Sequence, residues 1–321
     1  MTPEELDQFR KRFLATFGSL DQRALSARSR AIVGTDYLPA TPQGQLAASA
    51  LDKLRTGADP GPSPAEFAAL EYMIRAMRPA PLIHDGVIDG LTDPDFLAAF
   101  HDWPGFLNSF PQWASGIGCL MKITGSQQPQ GEGTGFLVAK NVLLTNAHVL
   151  DALSNGVRAL EKGQAIVRFR CEAGSFNPEL SYDVVGALAV HPTQDACLLQ
   201  LGGDYSGAIL TLATSTPAVQ AEVAAIGFPY PDTRNPAFVT TTFGNQLGFK
   251  RASPGFITGG QPATNTLFHD CSTLGGNSGS PLISMTDGIV VGMHKGGGFM
   301  WKNLAIDAIA LQSFVQGALH V

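Results

Sequence analysis

Short apolar runs bounded by turn residues dominate this chain from about Trp113 onward. Runs of this length, returning at regular spacing, are typical of a β-barrel or a β-sandwich. The composition agrees, since the 321 residues include 36 glycines and 21 prolines and only 15% are charged. The runs predicted as strands are 117–123, 135–138, 142–145, 165–169, 184–190, 197–201, 223–227, 238–243 and 289–293.

The first 110 residues have a different texture and predict helices. Phe9, Phe13 and Phe17 repeat at helical spacing. The segment 63–66 reads Ser-Pro-Ala-Glu, a capping box with proline at the first helical position. Other helix starts are predicted at Thr41-Pro42 and Asp93-Pro94, and helix ends at Gly57 and before Pro79. We therefore predict a helical region over 1–110, a second domain over 111–321, and a closing helix over 308–319.

Three polar residues stand where apolar runs meet turns. His148 lies in Thr-Asn-Ala-His-Val, Asp195 begins Asp-Ala-Cys-Leu-Leu-Gln-Leu, and Ser278 lies in Gly-Asn-Ser-Gly-Ser-Pro. A serine hydroxyl becomes a nucleophile when a neutral imidazole takes its proton and a carboxylate orients that imidazole. The order His, Asp, Ser along the chain is that of chymotrypsin-like enzymes, whereas α/β-hydrolases and subtilisins use other orders. These residues are therefore the predicted catalytic triad.

The glycine-rich loop around the nucleophile supplies a second requirement. The tetrahedral intermediate of acyl transfer carries a negative oxygen, which backbone N–H groups stabilise. Gly276 and Ser278 are the predicted donors, because the absence of a side chain at Gly276 lets a substrate come close. Asn277, not an aspartate, precedes the nucleophile. Activation by pairing a new chain terminus with a carboxylate at that position is therefore not expected.

Other histidines and aspartates near these motifs are weaker candidates. Asp151 and Asp204 are alternative candidates for the orienting acid, but only Asp195 stands before the apolar run Cys-Leu-Leu-Gln-Leu. His191 lies four residues before Asp195 and is a rival base, yet its place before a proline favours a structural role. His269 is likewise predicted to be structural.

Together the three motifs resemble those of bacterial trypsin-like peptidases, and most closely the glutamyl endopeptidase branch of staphylococcal V8 type. The resemblance covers about 114–321. It implies two six-stranded antiparallel β-barrels and a serine endopeptidase that works through an acyl-enzyme. It also implies that Thr273 and His294 line the S1 pocket and favour Glu, Asp or Gln at P1. The alternative is a binding module on a protease fold that no longer cleaves, although no triad residue is missing.

Charge and composition limit the partners that we expect. The net charge is −6 and no basic stripe is present, so nucleic-acid binding is not expected. No apolar run reaches the ~18 residues of a membrane span, and the acidic start has no signal-peptide pattern, which predicts a cytoplasmic protein. The four cysteines are then expected as free thiols. No motif indicates a metal or cofactor. Region 1–110 is either a plain cap or, as we favour, a regulatory or targeting module that binds a protein partner.

Overall fold

The computed structural model describes residues 3–33, 41–58, 60–91, 94–125, 128–176, 180–231, 243, 246–297 and 302–319. Of the predicted strand at 238–243, only residue 243 is among these residues. Asp93, the predicted start of a helix, lies outside them.

Helices and one short hairpin precede the first barrel. They are α1 (Pro3–Phe17), α2 (Gln22–Val33), α3 (Pro42–Thr56), α4 (Pro64–Met77), the hairpin β1 (Ile83–His84) and β2 (Val87–Ile88), α5 (Pro94–Ala99), α6 (Trp103–Ser109) and α7 (Pro111–Ala114). The sequence patterns had not predicted α2, α6 or α7. Helix α2 has arginine and serine between few apolar residues, and α6 and α7 are too short to show a helical period.

The predicted capping residues are confirmed. Thr41 accepts a hydrogen bond from the backbone of Gly44 at 3.0 Å at the start of α3. Gly57 ends that helix in the left-handed conformation with φ of 66°. At the start of α4, the Ser63 backbone donates to Glu66 and the Glu66 backbone donates to the Ser63 hydroxyl, which completes the capping box.

Two closed six-stranded antiparallel barrels follow, so the predicted chymotrypsin-like fold is confirmed. The first barrel consists of β3 (Ile117–Lys122), β4 (Gln130–Ala139), β5 (Val142–Thr145), β6 (Ala165–Arg168), β9 (Ser181–Val190) and β10 (Cys197–Leu201). Helix α8 (Ala147–Leu153) follows β5, and β7 (Cys171–Glu172) and β8 (Ser175–Phe176) form a separate hairpin. The strand order of this barrel is β10-β5-β4-β3-β6-β9.

The second barrel consists of β11 (Glu222–Gly227), β12 (Arg251–Gln261), β13 (Thr266–His269), β14 (Pro281–Ser284), β15 (Val290–Gly297) and β16 (Asn303–Asp307). Its strand order is β11-β12-β13-β16-β15-β14. The predicted closing helix is α9 (Ala308–Leu319).

Strand β12 is the longest of those that the sequence patterns missed. It contains Pro254 and Gly255, which normally indicate a turn. In the barrel the backbone of Cys271 packs directly against Gly255. A Cβ on Gly255 would lie only 2.7 Å from the Cys271 nitrogen. The glycine thus serves a close approach within the sheet and does not mark a turn.

Four apolar clusters hold these parts together. The first barrel and the second barrel each enclose one cluster. A third joins both barrels to α5, α6, α7 and α9. The fourth fills the space among α1 to α4 and also includes Phe243 and Leu274 from the barrel region. All four cysteines are buried and free, as predicted. Among the helices of the described residues, none has the length and apolar character needed to cross a bilayer.

The C-cap of α3 gives a stability prediction. Substituting Gly57 with alanine should lower the free energy of unfolding by about 1 kcal/mol, because a Cβ is strained at positive φ even in open space. Gly61→Ala is the matched control, since Gly61 has no positive φ and a Cβ there meets nothing closer than 3.9 Å. Urea unfolding measures both. Equal midpoints for the two variants would contradict the prediction.

Candidate active site

Strand pairing brings His148 and Asp195 together. Strand β5 ends at Thr145 and β10 begins at Cys197, and these two residues are direct antiparallel partners. His148 then lies in the first turn of α8, and Asp195 in the loop that enters β10. The Nδ1 atom of His148 is 2.6 Å from Oδ2 of Asp195, and the His148 backbone N–H donates to Oδ1 at 2.9 Å.

Asp195 is held as a carboxylate. Burial raises its pKa, but the hydrogen bond and charge of His148, with the backbone N–H groups of His148 and Ala147, outweigh burial and leave the pKa below its ordinary value. The ionised acid therefore accepts from Nδ1 and leaves Nε2 of His148 free for proton transfer. The His148 side chain is 47% exposed, so the ring is open to a substrate.

The rival residues have other partners. Asp151 forms a bidentate pair with Arg158, with hydrogen bonds of 2.7 and 3.0 Å. Asp204 pairs with Lys140 at 2.9 Å. His191 accepts backbone N–H groups of the turn before Asp195 through its Nδ1 and packs on Phe314. These contacts are compatible with the structural role predicted for His191.

Ser278 reaches the same place from the second barrel. Its carbonyl accepts the backbone N–H of Thr134 in β4 at 2.8 Å. A Cβ on Gly133 would lie 2.7 Å from Val149, the neighbour of His148, and 3.1 Å from the Ser278 carbonyl. The start of α8 and the serine loop thus converge on β4. Within the described residues the Ser278 hydroxyl makes no hydrogen bond, so no such bond joins it to His148 in this structure. Catalytic hydrogen bonds are often formed or aligned only when a substrate is bound.

The residues before Ser278 form a turn over 274–277. The Asn277 N–H donates to the Leu274 carbonyl at 3.2 Å. Gly276 has φ of 85°, as a type II turn requires at its third position. A Cβ there would lie 2.3 Å from the Phe228 carbonyl oxygen, so only glycine fits. Among the residues that the structure describes, the N–H groups of Gly276 and Ser278 have no acceptor, which leaves both free for an anion.

Two residues that support this turn were missed by the sequence analysis. Thr134 donates its hydroxyl to the Gly276 carbonyl at 2.9 Å. The Tyr230 backbone N–H donates to the Gly275 carbonyl at 2.7 Å. Thr134 lies in the glycine-rich stretch 131–135, and no local pattern pointed to a contact 142 residues away.

A family model for the trypsin-like peptidase domain matches residues 133–293, half of the 321-residue chain. The chain belongs to the trypsin-like peptidase family. The matched segment contains His148, Asp195 and Ser278. The crystal structure of a serine endoprotease from Yersinia pestis is similar, with 16% identity and a TM-score of 0.49. The similarity covers 67% of this chain and 66% of that one, so just under two thirds of the Yersinia chain is matched. No curated protein matches the sequence.

In this trypsin-like peptidase the predicted S1 residues flank the serine loop. His294 in β15 exchanges backbone hydrogen bonds with Gly279 and Ser280, immediately after the nucleophile. Its ring Nδ1 lies 3.0 Å from Nε2 of His269, and both rings are buried. Thr273 is half-buried, and its hydroxyl makes no hydrogen bond to the rest of the described chain. No set of three or more acidic, histidine or cysteine side chains in the described part is arranged to hold a metal.

The two imidazoles give a pH prediction. Burial lowers the pKa of His269 to about 3, with Asp270 opposing the shift and Arg75 adding to it. Burial and the neighbouring imidazoles lower the pKa of His294 well below its usual 6.5. Below about pH 6.5 these histidines bind protons in the unfolded chain but not in the folded one. The free energy of unfolding therefore decreases as the pH is lowered, until the pH reaches the pKa of the folded state. Each histidine accounts for up to about 1.4 kcal/mol per pH unit.

Urea unfolding at pH 7, 6 and 5 measures this dependence. His269→Gln should remove one of the two contributions and make the fall in unfolding free energy between pH 6 and 5 correspondingly shallower. An unchanged slope in this variant would show that His269 is protonated, or freely hydrated, in the folded protein.

Proposed function

We propose that the protein is a serine endopeptidase in which His148, Asp195 and Ser278 act as the catalytic triad. The observation that carries the proposal is the 2.6 Å pair of His148 and Asp195 beside a serine loop, two of whose backbone N–H groups have no acceptor among the described residues. Its substrate is a protein or peptide, and none of its steps needs a cofactor.

The chemistry follows from the positions of these groups. Nε2 of His148 takes the hydroxyl proton as Ser278 Oγ attacks the substrate carbonyl carbon. The N–H groups of Gly276 and Ser278 bind the oxygen that becomes negative. When the C–N bond breaks, His148 returns the proton to the leaving amine. Water, deprotonated by the same imidazole, then hydrolyses the acyl-enzyme. Asp195 stays ionised throughout and keeps the Nδ1 proton directed toward itself.

A fluorophosphonate probe tests this function. The wild-type protein should react at Ser278 and lose peptidase activity as it does so, whereas Ser278→Ala should remain unlabelled because the attacking oxygen is absent. Ser280→Ala is a control with a serine two residues along the same loop, and it should still label. A folded wild-type protein that fails to label would favour the alternative of a protease-fold binding module.

We further propose a preference for Glu, Asp or Gln at P1, as in the glutamyl endopeptidase branch. The buried pair of His269 and His294 supports it. Nδ1 of His269 is buried and has no partner among the described residues, and a proton there would leave an unpaired N–H at considerable cost. The proton is therefore on Nε2, donated to Nδ1 of His294. His294 must then carry its own proton on Nε2, where it is available to a carboxylate or amide oxygen.

Cleavage of a peptide library randomised at P1 tests this preference. We expect kcat/KM for Glu, Asp or Gln to exceed that for Leu or Arg by roughly tenfold or more, since the analogue lacking the acceptor leaves a buried donor unpaired. Thr273→Val removes a hydroxyl that we expect to be a second hydrogen-bond donor to the P1 side chain. It should therefore reduce the ratio of kcat/KM for Glu, Asp or Gln to that for Leu. Selective cleavage after Arg, Leu or Phe would refute the specificity and leave the triad untouched.

A further inference from the structure

The segment that leads to Ser278 is attached to the N-terminal helices at three alternate residues, Asp270, Ser272 and Leu274. All three side chains are buried, with exposed fractions of 6% or less. Each contacts the helices by a different interaction: a charge, a hydrogen bond and apolar packing. The alternation places Thr273, a predicted S1 residue, between two attached neighbours.

Asp270 makes the charged attachment. Arg78, at the end of α4, donates to both carboxylate oxygens, and Arg12 of α1 donates to one of them at 3.1 Å. The backbone N–H of Phe256 in β12 donates to the same carboxylate at 2.7 Å. Burial opposes ionisation of Asp270, but the two guanidinium groups outweigh it and hold its pKa well below the ordinary value. The carboxylate thus ties two helices to the second barrel.

Ser272 and Leu274 continue the attachment toward the turn. The Ser272 hydroxyl lies 2.5 Å from the Arg75 carbonyl oxygen and 3.0 Å from that of Arg78, so its single proton is shared between two carbonyls at the end of α4. The Leu274 side chain belongs to the apolar cluster among α1 to α4. Its carbonyl accepts the N–H of Asn277 and so closes the turn that contains Gly276.

We propose that the N-terminal helices hold the 274–277 turn in the geometry that catalysis needs, with Asp270, Ser272 and Leu274 as positioning residues. The inference rests on the proposed serine peptidase function. The barrels hold one side of the turn through Thr134 and Tyr230, and the helices hold its first residue. Because His148 remains 47% exposed, the helices leave the catalytic base open. They are therefore an activating part of the enzyme, not an inhibitory cover.

A matched pair of variants separates this role from general stability. Leu274→Ala and Leu51→Ala remove the same side chain from the same apolar cluster, but Leu51 belongs to α3 and not to the segment that leads to Ser278. Both variants should have a lower melting temperature than the wild type. At a temperature where circular dichroism shows both fully folded, only Leu274→Ala should lose reactivity. Its fluorophosphonate labelling rate and its kcat should fall by roughly 10- to 100-fold, approaching the effect of losing an oxyanion donor.

Two further variants complete the test. Leu274→Met, which keeps the volume, should restore most of the rate. If Leu274→Ala does not fold, Ser272→Ala takes its place, with Ser49→Ala as its control, because the Ser49 hydroxyl bonds to Glu66 within the helices alone. A labelled wild type with equal rates in Leu274→Ala and Leu51→Ala would overturn the inference. A wild type that does not label would overturn the proposed function instead, so the two failures are distinct.

Discussion

The contact between strand β4 and the serine loop brings together the parts of the two barrels that carry the proposed catalytic residues. Thr134 contributes its backbone N–H to the Ser278 carbonyl and its hydroxyl to the Gly276 carbonyl. These two bonds join barrels whose strands are otherwise paired only among themselves. They require glycine on both chain segments. A Cβ on Gly279 would lie 2.0 Å from the Thr134 carbonyl oxygen, and one on Gly133 would lie 3.1 Å from the Ser278 carbonyl oxygen. The apolar cluster shared by the barrels packs them together, and this close approach sets the position of the Ser278 loop against β4.

The buried carboxylate of Asp270 has a comparable role on the other side of the loop. A carboxylate that is 2% exposed costs several kcal/mol in lost hydration, which good geometry with Arg78 and Arg12 offsets. The Arg78 guanidinium also lies 5.4 Å from the ring centre of Phe100 and 5.5 Å from that of Phe256. Removing one partner of such a pair typically costs about 3–5 kcal/mol, because an uncompensated charge remains buried. The cluster therefore fixes one arrangement of helices and barrel.

These two contacts relate the helical region to the chemistry. The turn that contains Gly276 is held by the barrels at Gly275 and Gly276 and by the helices at Leu274. Gly276 has a positive φ, and its N–H group has no acceptor among the described residues, so the contacts around the turn keep it in place. The sequence had left two interpretations of region 1–110 open, a plain cap or a regulatory or targeting module. The contacts at Asp270, Ser272 and Leu274 favour a third, in which the helices are part of the working enzyme.

The sequence by itself determined the local features of this protein. Thr41, Gly57 and Ser63 mark helix ends through bonds to residues three or four positions away, and the triad motifs combine residue types whose chemistry is recognisable wherever they occur. Strand β12 was not predicted because Pro254 and Gly255 normally indicate a turn, although Gly255 here allows a close approach to the backbone of Cys271. The contacts of Thr134 with Gly276 and of Arg78 with Asp270 span 142 and 192 residues. Only the tertiary structure decided them, because burial and pairing at such separations depend on the whole packed chain and leave no local pattern.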